Sequence, residues 1–380
     1  MIYHLLPEWE VFSAYKGGAV ARNIANMMRF DVSRIVVCRA SDDTWGYGPD
    51  RILTIPLLRP YSKIYGRGYF SAKITNLYLR KAFKSLLSLL KAGDIVWCHS
   101  QPFFCAALEK SIHAKGAYLI YHAHSSLAPY CVRSKFQLFS PDAVIFVSEF
   151  MRQEALQYLP HLKNTYAVHN GANEDLFYPD KQSKKPKPKI PLILYVGRLH
   201  PEKGPHVLMD AMTILQKRNI EVQCKVIGSS YSGGSKPTHY VKTLLKNSPS
   251  NVHFEGSKSG KEIAAEYRAA DVFCCPSIFQ EPFGNVNIEA MACGLPVVAS
   301  RVGGIPEIAA DGGILLVDPE SSLELANALQ KLVQDQQLRT RMAVEGLQSF
   351  QKRFTWAKIY KQYQQILGDI RLKGQPKEKI

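Results

Sequence analysis

The sequence predicts an α/β protein built from two doubly wound parallel-sheet domains. Three observations carry that expectation. The chain has 380 residues, too many for one ordinary hydrophobic core. Short apolar runs alternate with amphipathic helical stretches along its length, the pattern of strands buried on both faces by crossover helices. Midway stands Lys181-Gln-Ser-Lys-Lys-Pro-Lys-Pro-Lys189, whose five lysines and two prolines cannot pack a core and read as an exposed linker. The expected division is a first domain over residues 1–180, a linker over 181–190, a second domain over 191–354, and a C-terminal helix with a loose tail over 355–380.

The elements of the first domain follow in order. Residues 2–6 read as a strand, which leads through a loop to Gly17-Gly18 and a helical pattern over 20–28. Glycines at a strand-to-helix turn let backbone approach a ligand closely, and they also serve ordinary tight turns. Strands are expected over 33–40 and 51–56. Residues 51–92 then hold nine basic residues and six aromatics, with no Asp or Glu. That interval fits a surface facing anionic lipid, and single-stranded nucleic acid would suit it too. Its leucines, Leu77, Leu79, Leu86, Leu87 and Leu90, also fit a helix that simply faces the core. Of these, an anionic membrane surface is the expected partner and nucleic acid is not.

Strands over 94–100 and 116–124 bring His99, His122 and His124 toward strand carboxyl ends, where the ligands of such sheets bind. Imidazole can donate or accept there near neutral pH. His122 and His124 share one strand face, so alternation does not separate them. A strand over 143–148 and a helix over 149–158 close the domain.

The second domain opens with a buried-strand pattern over 191–197. Arg198 follows it, and Lys203-Gly204 lead into a helix over 205–215. Two cations at a strand end and helix start suit a diphosphate. Further strands are expected over 221–227, 251–255, 271–277, 296–300 and 314–317, then amphipathic helices over 323–370.

The most informative stretch is Glu281-Pro-Phe-Gly-Asn-Val-Asn-Ile-Glu289. It joins the strand over 271–277 to a helix over 285–293. The amides of Phe283, Gly284, Asn285 and Val286 would point outward from a helix start, where free N–H groups and the dipole attract an anion. Glu281 in the loop and Glu289 in the helix are acceptors suited to sugar hydroxyls. One element thus offers sites for a phosphate and for hydroxyls.

Bulk properties narrow the class. An apolar content of 46% with 21% charged residues reads as soluble and globular. No basic-then-apolar leader opens the chain and no apolar run suffices to span a bilayer. The eight cysteines lack C-x-x-C spacing, so free thiols in a reducing compartment are expected rather than a disulfide or metal framework. The expected location is cytoplasmic, with peripheral attachment to the inner face of the membrane through residues 51–92. The formal charge of +16 suits anionic partners.

Glu281 to Glu289 has the E-x7-E form of retaining glycosyltransferases with two Rossmann-like domains, the GT-B type, and resembles family GT4 most. Val196-Gly-Arg-Leu-His-Pro-Glu-Lys-Gly204, Val302-Gly-Gly-Ile-Pro-Glu307 and Asn170-Gly-Ala-Asn-Glu-Asp-Leu-Phe177 agree with it in order. The resemblance implies two Rossmann-like domains facing across a cleft and transfer of a sugar from a nucleotide-diphosphate donor to a saccharide or lipid-linked acceptor, with retention. It implies that Arg198, Lys203 and the 283–286 amides hold the diphosphate, that Glu289 meets the ribose, and that Glu281 and His124 serve catalysis beside the sugar. Gly17, Gly18, His99 and His122 fall on the cleft or acceptor side, and the final helix is implied to cross back to the first domain, with Trp356 and Tyr360 packing there. No D-x-D stands at a strand end, so no metal and no cofactor are expected. The alternatives are a sugar-nucleotide epimerase or hydrolase on the same scaffold, and a non-catalytic sugar or nucleic-acid binder.

Overall fold

The structure is a computed structural model that describes residues 1–14, 17–41, 43–56, 79–131, 140–180, 190–230 and 237–373. It divides into two compact units, one of Met1–His169 with Tyr360–Ile380, the other of Asn170–Ile359.

The first unit holds seven strands: β1 (Ile2–Leu5), β2 (Arg34–Cys38), β3 (Ile52–Thr54), β4 (Ile95–His99), β5 (Tyr118–Ala123), β6 (Ala143–Phe146) and β7 (Thr165–Ala167). All pair in parallel, in the order β3-β2-β1-β4-β5-β6-β7. The order reverses between β1 and β4, and a ligand of such a sheet binds outside the strand carboxyl ends at that reversal. β1 and β4 are fully buried, as strands covered on both faces must be. The helix Ala19–Met28 covers the sheet with Val20, Ala21, Ile24, Met27 and Met28.

The second unit repeats the design with six strands: β8 (Leu192–Val196), β9 (Gln223–Ile227), β10 (Val252–Phe254), β11 (Val272–Cys275), β12 (Val297–Ser300) and β13 (Ile314–Val317). They pair in parallel as β10-β9-β8-β11-β12-β13, so the reversal falls between β8 and β11. The helices Pro205–Lys217 and Ser322–Gln334 pack into its core through Leu208, Met212, Leu325 and Leu329.

Two expectations need correction. Residues 170–180, read as the end of the first domain, lie with the second unit. Asn170 Nδ2 donates to Asn285 Oδ1 at 2.9 Å, and the Ala172 amide donates to Phe354 O at 3.1 Å. Trp356, expected against the first domain, is fully buried in the second, where its ring lies over Gly171. Tyr360 does pack in the first unit, stacked on Phe30 at 4.9 Å. The stretch over 323–370 is three helices, Ser322–Gln334, Gln336–Arg353 and Trp356–Lys373. Asp335 ends the first and caps the second by accepting from the Leu338 amide.

The linker over 181–189 and most of the basic-aromatic interval, residues 57–78, lie outside the described residues. In the remainder of that interval Leu79, Leu86 and Leu90 are buried, Phe83 meets Phe104 edge-on at 5.2 Å, and Arg80, Lys81 and Lys84 are exposed. The leucine periodicity there belongs to the core, and the cations form the solvent face.

Candidate donor and histidine sites

At the reversal point of the second sheet, the carboxyl ends of β8 and β11 carry the sequence-predicted residues. After β8 the chain makes a short 3-10 turn, Pro201–Lys203, and Gly204 follows it with φ +66° before the helix Pro205–Lys217. A Cβ on Gly204 would overlap the Pro276 carbonyl oxygen, so only glycine lets this turn lie against the end of β11. The Glu202 carbonyl then accepts from the Ile278 amide at 2.9 Å and ties the two loops together.

This closeness brings Lys203 onto Glu281. Its Nζ donates to both carboxylate oxygens at 2.8 Å and lies 4.5 Å from the Phe279 ring centroid. Ser277 Oγ donates to Glu281 Oε2 at 3.0 Å. Glu281 is 9% exposed and is thus a buried carboxylate, held by an ammonium and a hydroxyl. Sequence reasoning had assigned Lys203 to a diphosphate and Glu281 to the sugar as separate parts. The structure joins them as one ion pair. Arg198 differs: its side chain is exposed and makes no hydrogen bond or ion pair among the described residues.

The loop of Glu281 is held from the other side by Gly303-Gly304. The Gly304 amide donates to Glu281 O at 2.9 Å, and the Gly303 amide donates to Gln280 Oε1 at 2.8 Å. Beyond the loop the helix Asn285–Ala292 begins after Gly284 with no side-chain cap. Asn285 and Val286 are its first residues, and Phe283 is buried just ahead of it. Glu289 is partly exposed and accepts from Tyr267 Oη at 3.0 Å. Burial, with the Glu289 charge beside it, raises the Tyr267 pKa well above its ordinary value, so the phenol stays a donor. Cys275, at the end of β11, is pushed up to about 11 by burial and remains a thiol at neutral pH.

The first unit gathers its histidines at its own reversal point. His4 lies on β1, His99 ends β4, and His122 pairs with His99 across to β5. His4 Nδ1 is 3.0 Å from His99 Nε2, and His99 Nδ1 is 3.0 Å from His124 Nε2. Arg34, fully buried on β2, approaches His4 Nε2 with Nη1 at 2.7 Å. Burial lowers the pKa of His4, His99 and His122 well below 6.5 and brings His124 down to about 3. Both ring nitrogens of buried His122 lack a partner among the described residues. The hydrogen bonds therefore separate what strand alternation could not: His124 is linked to the network, and the His122 ring lies tilted against it with centroids 4.0 Å apart. His99, His122 and His124 are also the group with metal-ligand spacing among the described residues, with candidate nitrogens within 4.8 Å of one another.

Gly17 and Gly18 stand before the helix Ala19–Met28, whose start meets this chain's own Glu10. Glu10 Oε2 accepts from the Ala21 amide at 2.8 Å, and its carboxylate lies against Gly18. Burial raises the Glu10 pKa while these backbone donors pull it down. The two glycines thus admit this chain's own carboxylate.

Sequence reasoning missed Arg34, His4, Ser277, Tyr267 and Glu10. Arg34 and His4 did carry a signal, since each is a polar residue in an otherwise apolar strand. Cys38, Cys98, Cys105, Cys224, Cys274, Cys275 and Cys293 are free and buried.

Residues 178–348 match the family of glycosyl transferases group 1. Spore coat protein SA of Bacillus subtilis is 27% identical over 70% of this chain and 76% of its own length. A D-inositol 3-phosphate glycosyltransferase of Corynebacterium diphtheriae is 35% identical over 52% of this chain, a match that spans about half of that protein at 49%. Among solved structures, a sucrose-phosphate synthase from Thermosynechococcus elongatus superposes with a TM-score of 0.77, covering 98% of this chain and 99% of that one at 23% identity. Anabaena HepE, in complex with UDP and glucose, gives a TM-score of 0.72 over 97% of this chain and 99% of that one at 20% identity. At these identities the structures establish the shared fold of two Rossmann-like domains.

Proposed function

We propose, from the match of residues 178–348 to the group 1 glycosyl transferases, that this chain moves a sugar from a nucleotide-diphosphate donor to a saccharide or lipid-linked acceptor. The observation that carries the reading is the arrangement at the end of β11. There Lys203 is held on buried Glu281, an uncapped helix begins at Asn285, and Glu289 stands within that helix. This offers positive charge and amides for a diphosphate beside two carboxylates for hydroxyls. Arg198 and Lys203, with the amides of Phe283, Gly284, Asn285 and Val286, stabilise the leaving diphosphate electrostatically. Glu289 accepts from the ribose hydroxyls and Glu281 from the sugar, while His124 binds a sugar hydroxyl. With protein cations in that role the reaction proceeds without a metal. It retains anomeric configuration, through attack from the leaving-group face with the departing phosphate taking the acceptor's proton. A structural neighbour holding UDP and glucose supports a nucleotide-sugar donor. The product belongs to cell-surface polysaccharide or glycoconjugate synthesis, made at the inner face of the membrane.

Thermal melting with UDP, GDP, ADP and dTDP, without added metal, tests the donor site in wild type and Glu289→Ala. One nucleotide at about a hundred times its dissociation constant should add about 2.7 kcal/mol of stability. The variant should lose that gain. Equal stabilisation of both proteins would remove Glu289 from the site, and no stabilisation by any nucleotide would remove the donor assignment.

A further inference from the structure

Three buried groups in the first unit, Arg34, His4 and His99, and the partly buried His124 follow one another at hydrogen-bond distance: 2.7, 3.0 and 3.0 Å. We propose that Arg34 gives this chain a single direction and thereby fixes His124 as the neutral tautomer with its proton on Nδ1. Arg34 and His4 are then positioning residues for a hydrogen-bond donor at His124. This rests on the reading above that His124 meets the transferred sugar.

The argument is one of proton counting. A guanidinium only donates and does not lose its proton in a protein. His4 Nε2 must therefore accept, and the single proton of neutral His4 sits on Nδ1. That proton points along the 3.0 Å contact to His99 Nε2, which must accept in turn. His99 then carries its proton on Nδ1 and donates to His124 Nε2. The proton of His124 is left on Nδ1. The reverse direction would set the Arg34 N–H against a His4 Nε2–H at 2.7 Å, two donors with nothing to share.

The surroundings enforce neutrality. Arg34 itself is balanced by Asp31, whose carboxylate lies 3.4 Å from Nε, and its guanidinium lies over the Trp97 and Tyr360 rings at 5.7 and 5.1 Å. Tyr363 packs edge-on against Trp97 and His122. The charged group nearest the imidazoles is thus the Arg34 cation, which opposes a second positive charge on His4 or His99.

The same count answers the metal question. A metal at His99, His122 and His124 needs a bare lone pair from each. His99 has none to give, since one nitrogen carries the proton and the other accepts from His4. The spacing suits a metal and the protonation pattern does not.

The test is a long-range proton–nitrogen NMR correlation on the full chain labelled with ¹⁵N-histidine, with His124 assigned by its loss in His124→Gln. Wild type should show His124 protonated on Nδ1. His4→Gln should preserve this, because its carbonyl accepts from Arg34 and its amide donates to His99. His4→Leu should abolish the single tautomer and lower kcat about tenfold, the scale of one lost hydrogen bond, with nucleotide affinity unchanged. His124 protonated on Nε2 in wild type, a single Nδ1–H tautomer persisting in His4→Leu, or Zn²⁺ binding by wild type that is lost in His99→Gln would each overturn the proposal. If the tautomers behave as stated while kcat is untouched, the relay stands and the role of His124 at the sugar falls.

Discussion

Four histidines held neutral inside the first unit tie its stability to acidity. Each has a native pKa lowered below the unfolded value near 6.5, that of His124 to about 3. Their contribution is therefore complete above pH 6.5. Below that pH the unfolded chain takes up protons that the native chain refuses, and stability falls as pH drops toward the native values. Each fully buried imidazole contributes up to about 1.4 kcal/mol per pH unit in that window. Melting temperature should be level from pH 8 to 7 and decline from pH 6.5 to 5. His122 makes no hydrogen bond among the described residues, so His122→Phe removes one of the four titrations without breaking the relay. It should make the acid limb shallower while His4, His99 and His124 still contribute, and a slope equal to wild type would exclude His122 as a contributor. The Glu281–Lys203 pair obeys a different rule. Removing either partner strands a charge in a site that water reaches poorly, which makes the pair an orienting device more than a source of stability.

At the level of elements, the Glu281 loop is set by two turns that only glycine can complete. Gly303 has φ +55°, and a Cβ there would overlap the backbone oxygen of Glu281. Gly303→Ala should displace the loop and lower nucleotide affinity by about tenfold or more. Its circular dichroism should stay native, since β11 and β12 pair through residues outside the loop. Retained affinity would show that the loop tolerates the shift. This region also marks how far the sequence is readable. Apolar runs such as Ile193-Leu-Tyr195 and Val297-Val-Ala299 announce strands because burial on both faces leaves no polar alternation. The turn residues Gly204 and Gly303 announce close approach. What the runs do not disclose is which side chains meet from distant segments. Lys203 and Glu281 are 78 positions apart, and Arg34 and His4 are 30 apart. Those pairings follow from strand order, which local periodicity does not encode. The same limit applies to Trp356, expected against the first domain and buried instead in the second unit.

For the whole molecule, the formal charge of +16 favours anionic partners over long range. Exposed Arg80, Lys81 and Lys84 sit beside a leucine face that the core consumes, so attraction to a bilayer would rest on charge at this point. No described helix is long and apolar enough to cross a membrane. Co-sedimentation with anionic vesicles should be salt-sensitive and should weaken severalfold when these three residues are neutralised. Binding unaffected by both changes would remove this face from any membrane role.

The division of the chain has one more consequence, and it concerns the order in which the protein is made. The first unit is discontinuous: it comprises the N-terminal 169 residues and the segment from Tyr360 onward. Trp97 and His122 receive Tyr363 against their rings, and Arg34 receives Tyr360. A nascent chain emerging from the ribosome therefore presents the first sheet early and leaves it unfinished while the whole second unit is synthesised. The second unit, continuous in sequence, can close first. The histidine network waits for the helix Trp356–Lys373, so its Arg34 charge and apolar surroundings stay wet until that helix has been made.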